Sequence, residues 1–345
     1  MRRGEFHGGA TTAARAARVL RASVATFFHD YHCYTSVAGL LVLPFSAAVL
    51  AAGAMASSSN SSPELMRATT ARLRSMFHAA GFPPSSPFFA LLVVKLSQTA
   101  FTFAASLPFS LTFLLLAKSC VAAMVVGAIP HRRRGAERDG VAPERGVTRV
   151  VRSWPAMAAT YMAGAFVAMS ANAAVFSLMF LAFNLADLLG FGESHSLTVA
   201  MSAAGAIVYS VAIGVATVVC GLAVVVAAVE HHQSIGPFAA LIRACVVIRG
   251  RVPVALALAV PTNLAAAAAE ALFQLRVVSP WRRNGGGVAG AGAGVAGEAF
   301  SIAYIHAVCV VMEMIVSCVF YRSCKRSEAD EVRELEPDEK GDLQA

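Results

Sequence analysis

The sequence predicts an all-α membrane protein, a polytopic bundle of about six transmembrane helices with amphipathic helices lying at the cytosolic interface. Three observations carry this. Of 345 residues, 57% are hydrophobic and 14% charged, against about 25% charged in soluble domains. The apolar residues fall in blocks at least as long as the ~20 residues that cross a ~30 Å hydrocarbon core. The Lys and Arg residues gather at the ends of those blocks, as membrane topology requires. That clustering also disposes of the nucleic-acid reading that a net charge of +8 would otherwise invite. The blocks leave no room for a large soluble domain.

Residues 1–35 form a basic N-terminus, 36–322 the six-span membrane domain, and 323–345 an acidic tail. In the N-terminus Arg15, Arg18 and Arg21 recur at helical spacing, with Leu20, Val24, Phe27 and Phe28 on the apolar side. That pattern predicts a helix lying on the membrane surface. The first apolar run begins near Ser36, too late for the core of a cleavable signal, so the first span (36–56) is expected to act as a signal anchor. A Ser-rich polar loop follows, carrying the sequon Asn60-Ser61-Ser62.

The run from Phe88 to Ile129 would be about 60 Å long as one helix. It is either one helix bent at Pro108 or two spans joined there. Phe109, Leu111 and Phe113 are not turn residues, which favours one bent helix. In the basic loop that follows, Val147, Val150, Val151 and Trp154 fall at i, i+3, i+4 and i+7, with Arg145, Arg149 and Arg152 opposite. This predicts an interfacial helix with its Trp at headgroup level. The third and fourth spans lie within Ala156–Leu189 and Leu197–Val229. The fourth carries Ser210, Gly214, Thr217 and Gly221, either a stripe for close helix approach or simple Ala/Gly-rich composition. Pro237 suits the start of a short helix and Gly250 its end. The fifth span covers Val252–Leu275 and the sixth, after a Gly/Ala-rich loop, Phe300–Tyr321. The tail from Ser327 is acidic, poor in apolar residues and expected to be disordered.

With six spans, 20 Lys and Arg fall on the side of both termini and six on the other. The bias places both termini in the cytosol, in a multi-pass protein of the secretory pathway or plasma membrane. It also places Asn60 on the lumenal or outer side, where a sequon is usable.

Motifs of catalysis and cofactor binding are weak. Gly292-Ala293-Gly294-Val295-Ala296-Gly297 matches GxGxxG but sits in a low-complexity loop, without the strand and helix that the motif needs. His29-Asp30-Tyr31-His32-Cys33 and His231-His232 lack a second ligand pair at metal spacing. The seven cysteines are scattered, with no disulfide framework. Cys324, beside Lys325 and Arg326, is either a palmitoylation site or an inert thiol. No cofactor, metal or enzymatic chemistry is expected.

Ionisable residues within spans are functional candidates by default. Lys95, Glu270 and His306 lie at similar depths, roughly 8–10 Å below the outer boundary at 1.5 Å per residue. They are expected to meet, with Lys95 and Glu270 paired; Glu313 lies nearer the midplane. The alternative is that Lys95 snorkels and the others are structural polar contacts.

The most distinctive stretch is Glu230 … Gly236 … Arg243 … Arg249-Gly250-Arg251. Glu230 closes a span, and a short amphipathic helix then ends in a basic-Gly-basic turn. Glu230 could bind Arg243 or Arg249 and dock that helix, or the arginines could hold anionic headgroups. This stretch, the ending Val319-Phe320-Tyr321-Arg322-Ser323-Cys324-Lys325 and the spacing of Arg149 to Trp154 resemble a family of plant six-span membrane proteins with no established biochemical function. Ile235 stands where that family has an aromatic, and the Gly/Ala-rich fifth loop is private. The Glu-to-Gly-Arg pattern is also similar, distantly, to the membrane part of bacterial glycerophosphodiester phosphodiesterases, whose chemistry resides in a soluble domain. The resemblance implies fold and topology, not an activity.

The function expected is therefore non-enzymatic, a membrane scaffold or lipid-interacting protein. Its cytosolic Arg132, Arg133, Arg134, Arg149 and Arg152 would meet anionic lipid headgroups. The alternative is a small-solute or ion transporter or channel using Lys95, Glu270, His306 and Glu313.

Overall fold

The computed structural model describes residues 4–56, 64–79, 87–127, 143–188, 195–230, 236–283 and 293–335. All of these segments are helical apart from short turns, with no strand among the described residues. Among the described residues six helices are long and apolar enough to cross a membrane: Tyr31–Ala56, Leu96–Val126, Ser153–Met179, Ala203–Val229, Val252–Trp281 and Gly294–Glu328. Large apolar side chains stand exposed along them, among them Leu40, Phe166, Leu178, Ile207, Leu264 and Ile305. So much apolar surface is stable only against lipid.

Helix α1 (Gly4–His29) carries Arg15, Arg18 and Arg21 on its exposed side. Its buried stripe is Ala16, Val19, Ser23 and Phe27, while Val24 and Phe28 face outward, so the expected apolar side is only partly the buried one. Ser23 is tolerated inside because its hydroxyl donates to the Val19 carbonyl. Helix α2 (Tyr31–Ala56) buries Tyr34, Ala38, Val42, Ser46 and Leu50, every fourth residue. An ideal α-helix rotates such a stripe by about 40° per step. A π turn at Ala38–Val42 takes up part of that drift.

The segment read as a polar loop contains α3 (Glu64–Ala79), whose Thr70 hydroxyl donates to Ser97 at 2.9 Å. Its helix-forming residues, from Glu64-Leu65-Met66-Arg67 to Met76, outweigh the Ser and Pro that flank them. The sequon at Asn60 lies outside the described residues.

Residues 87–127 form a single helical run, α4, with a π turn at Ser110–Leu114 just after Pro108. It counts as one span. Proline leaves a carbonyl without its donor and crowds the preceding turn. Hydroxyls occupy the same stretch: Thr112 donates to Pro108 O at 2.7 Å and Ser110 to Ser106 O at 3.0 Å.

Helix α5 (Pro143–Leu188) is continuous, so the expected interfacial helix and the third span are one element. Pro155 removes one hydrogen bond without a Gly or turn residue nearby to end the helix, and Trp154 stands exposed at the junction. Helix α6 (His195–Val229) packs along α5. Cys220 donates its thiol to Gly164 O at 3.3 Å, and a Cβ at Gly164 would meet Cys220 Cβ at 3.3 Å. The close approach is thus made at Gly164 on α5. Of the expected stripe on α6, Gly214 meets only the Leu256 side chain and Gly221 has open space.

Helix α7 (Pro237–Ile248) is followed by a turn at Gly250, whose φ is +79°. Helix α8 covers 252–283, with a π turn at Gln274–Val278. Helix α9 (Ala293–Leu335) is longer at both ends than the expected sixth span. It starts inside the Gly/Ala-rich segment, so Gly294 and Gly297 of the GxGxxG match are helical. It also runs into the acidic tail, which is helical through Leu335 rather than disordered from Ser327, because Glu, Ala, Arg and Leu there are strong helix formers.

Contacts divide the chain into two compact units. One comprises Met1–Asp30, Lys118–Thr262 and Met312–Ala345, the other Tyr31–Ala117 and Asn263–Val311. In the first, Leu222 to Ala227 of α6 are all buried in succession, surrounded on every side. In the second, the α2 stripe and Ile302, Ala303, His306, Ala307 and Val310 of α9 form the core.

The left-handed backbone at Gly250 costs an L-residue roughly 1–2 kcal/mol. Nothing lies within 4 Å of a Cβ built there. Gly250→Ala is therefore expected to lower stability by about that amount, and Gly250→Asn by less, as read by thermal unfolding in detergent.

Candidate functional site

In the first unit a charged cluster sits where several helices end. Glu230 continues α6 by one residue, its N–H bonded to Val226 O at 2.8 Å. Its side chain is only 8% exposed. A carboxylate buried this deeply loses several kcal/mol of solvation unless opposite charge and hydrogen bonds replace water. Three side chains from two helices supply them. Tyr321 of α9 donates its hydroxyl to Glu230 Oε1 at 2.7 Å. Lys325, one turn further along α9, donates to the same oxygen at 3.1 Å. Arg243 of α7 brings Nε to 2.7 Å from Oε2. That contact is an ion pair without an aligned N–H, so Oε2 stays buried with no hydrogen-bond donor.

The next residues of α9 extend the anchorage. Arg322 donates to Val125 O at 2.8 Å, one of the last-turn carbonyls of α4 that have no partner within their own helix. Cys324 is buried beside Arg251; burial raises its thiol pKa, and the neighbouring guanidinium lowers it in part.

The turn between α7 and α8 follows from its own sequence. Arg249 N–H bonds back to Cys245 O and Val246 O, both at 3.1 Å, and Arg251 N–H bonds to Ile248 O at 2.8 Å across Gly250. Arg249 is exposed and takes no part in the Glu230 cluster. Gly236 caps α7 with ordinary extended angles and open space around it, so nothing local demands glycine there.

A second polar group lies in the other unit. His306 of α9 is buried, with Nδ1 2.9 Å from Ser46 Oγ of α2 and Nε2 3.8 Å from Glu270 Oε1 of α8. With the ring proton on Nε2, toward the carboxylate, Nδ1 accepts the Ser46 hydroxyl. The order Ser–His–Glu is that of a hydrolytic triad. Ser46, however, is wholly buried within a helix. Glu270 is half-exposed.

The structure thus brings Glu270 to His306 and Glu230 to Arg243. Glu313 is half-buried on α9. The side chains of Lys95, Arg149 and Arg152, and all of Arg132, Arg133, Arg134, His231 and His232, lie outside the described residues. Sequence reading missed Tyr321 and Lys325 as partners of Glu230, and Ser46 as the partner of His306. The i, i+4 spacing of Tyr321 and Lys325 at a span end was the available signal. Within the α5–α6 pair, Tyr209 donates to Asn172 Oδ1 at 2.7 Å, a further polar contact between spans.

The chain belongs to the family described as Domain of unknown function (DUF8558), which it matches over residues 15–336. No curated protein and no solved structure matches it. The family spans the Glu230 cluster and the Ser46–His306–Glu270 group alike.

Tyr321→Phe removes one bond to a charged acceptor and should cost about 1–2 kcal/mol. Glu230→Gln should cost at least as much. In a double-mutant cycle the two should couple by roughly 1 kcal/mol, measured by thermal or denaturant unfolding in one detergent. Additive losses would mean that the Tyr321–Glu230 bond contributes nothing.

Proposed function

We propose that the protein is a non-enzymatic membrane scaffold or lipid-interacting protein of the secretory pathway or plasma membrane, with both termini in the cytosol. The observation that supports this is α7. It packs on α5 and α6 through Ala240, Leu241, Ala244 and Ile248 and leaves Phe238, Ile242 and Val246 exposed beside Arg243 and Arg249. An apolar face rimmed by cations, at the mouth of spans, suits the boundary between acyl chains and headgroups. The orientation rests on the bias of Lys and Arg toward the side of α7 and both termini. On the same reading Arg132, Arg133, Arg134, Arg149 and Arg152 attract anionic lipids at roughly 1 kcal/mol each. The likeness to plant six-span proteins, and more distantly to the membrane part of the bacterial phosphodiesterases, is extended here as part of this proposal. The buried position of Ser46 supports the absence of hydrolytic chemistry.

A second reading, transport of a small solute or ion, draws on the buried His306 between Ser46 and Glu270, since ionisable groups inside a membrane often mark a path for protons or ions.

Full-length protein in phosphatidylcholine vesicles containing a lipid with a photoreactive acyl chain tests the first reading. Adducts are expected on the peptide carrying Phe238, Ile242 and Val246. Replacing the five arginines by Gln should cut retention of phosphatidylserine by tenfold or more at about 1 kcal/mol per residue. A clean α7 peptide would sink the lipid reading. Labelling of a single cysteine at position 95 or 313 by an impermeant thiol reagent would put transport in its place.

A further inference from the structure

Helix α8 turns two polar side chains outward in the middle of a span. Asn263 is exposed, and its amide has no hydrogen bond to any described residue. Glu270, two turns further on, has a side chain 53% exposed, with one oxygen 3.8 Å from His306 Nε2. Within the span Val252–Trp281 each lies about 16 Å along the helix from the nearer end, at 1.5 Å per residue. Side chains this short do not reach the headgroups as Lys and Arg can. Hydrocarbon offers them no hydrogen bond, so polar groups at that depth belong against protein rather than lipid.

The two residues belong to a pattern. Val260, Asn263, Ala267 and Glu270 recur at alternating steps of three and four, and all four are exposed. That is the spacing of a seam between two helices crossing at about 20°. A small residue such as Ala267 lets two backbones approach, and amide and carboxyl groups bond across such seams. No described residue of the chain itself covers this one.

The chemistry of the seam selects its occupant. An acyl chain has neither donor nor acceptor. An unrelated span would need a polar group of its own at each of two depths. A second copy of the chain has both, because a two-fold axis along the membrane normal sets every residue against its equivalent at equal depth. An amide is donor and acceptor at once, so two Asn263 side chains make a pair of reciprocal bonds. Two Glu270 carboxyls meeting across the axis are both satisfied by one proton held between them, since like charges so close do not both ionise.

We infer that the protein forms a two-fold symmetric dimer whose copies meet along Val260, Asn263, Ala267 and Glu270 of α8. The seam requires only that α8 spans a membrane, and it serves a scaffold and a transporter alike.

The test uses the full chain in phosphatidylcholine vesicles, with donor and acceptor dyes on separate copies through a C-terminal tag. As lipid is added at fixed protein, energy transfer should follow a monomer–dimer isotherm. Asn263→Val should raise the dissociation constant about tenfold, the scale of two hydrogen bonds between spans. Asn263→Gln, which keeps the amide, should recover most of the loss. Asn263 makes no bond within its own copy, so both variants should unfold at the temperature of the unaltered protein. Under oxidation Ala267→Cys should give a disulfide joining position 267 of two copies, identified by mass spectrometry of the linked peptide. Ala265→Cys, exposed on the far side of α8, should not. Energy transfer no greater than random mixing in the bilayer produces would overturn the dimer. A dimer indifferent to Asn263→Val, or linked as readily at position 265 as at 267, would overturn the seam.

Discussion

A peptide group in hydrocarbon has no water to bond, so each backbone N–H and C=O in a span must find its partner within the protein. The spans of this chain carry several prolines, each of which removes one such donor. Among the described residues, three π turns each lie within two residues of a proline: Ala38–Val42 before Pro44, Ser110–Leu114 after Pro108, and Gln274–Val278 before Pro280. In the first and third, the residue just before the proline, Leu43 or Ser279, donates to the carbonyl five positions back. The helix widens at the point where the proline ring would crowd the carbonyl four positions back. At Pro108 the widening comes afterwards, with Ser and Thr hydroxyls bonding to carbonyls of the same stretch.

Charge is placed under the same constraint. Within the first unit the buried carboxylate of Glu230 lies at a helix end, where Lys325 and Arg243 can each keep part of the side chain in water while neutralising it. Neither cation alone would replace the solvation that the carboxylate loses. With the Tyr321 hydroxyl added, one oxygen is fully served and the other is not. In the second unit the polar group is a histidine, which needs no countercharge when neutral, and a serine and a half-exposed glutamate suffice beside it.

The parts of the fold set by long apolar runs were legible in the sequence: the six spans, the second of them as one helix, and the start of α7 at Pro237 with the turn at Gly250 just after its end. The failures have a common cause. Boundaries read from polarity placed an interface before Ala156, a loop at 64–79 and a disordered tail from Ser327. Helix propensity and an unbroken backbone carried α5, α3 and α9 through all three. Of the site, Glu230 and Arg243 could be paired because they are close in sequence. Tyr321 and Lys325 are 91 and 95 residues from Glu230, so their i, i+4 spacing marks a shared face but does not name the partner. Ser46 was hidden for another reason: one hydroxyl in an apolar run reads as a small residue until a histidine from another span is found beside it.

The length of α9 has a mechanical consequence. Its 43 residues make a rod of about 65 Å at 1.5 Å per residue, more than twice the hydrocarbon thickness. Tyr321, Arg322 and Lys325 fasten it to the ends of neighbouring helices, and it continues for ten residues beyond Lys325 to Leu335. Those last residues, rich in Asp and Glu, are therefore presented as a stiff mast of about 15 Å. Whatever meets the acidic end meets it at a fixed distance from the Glu230 cluster, and a pull or push on that end is delivered to the cluster with little slack.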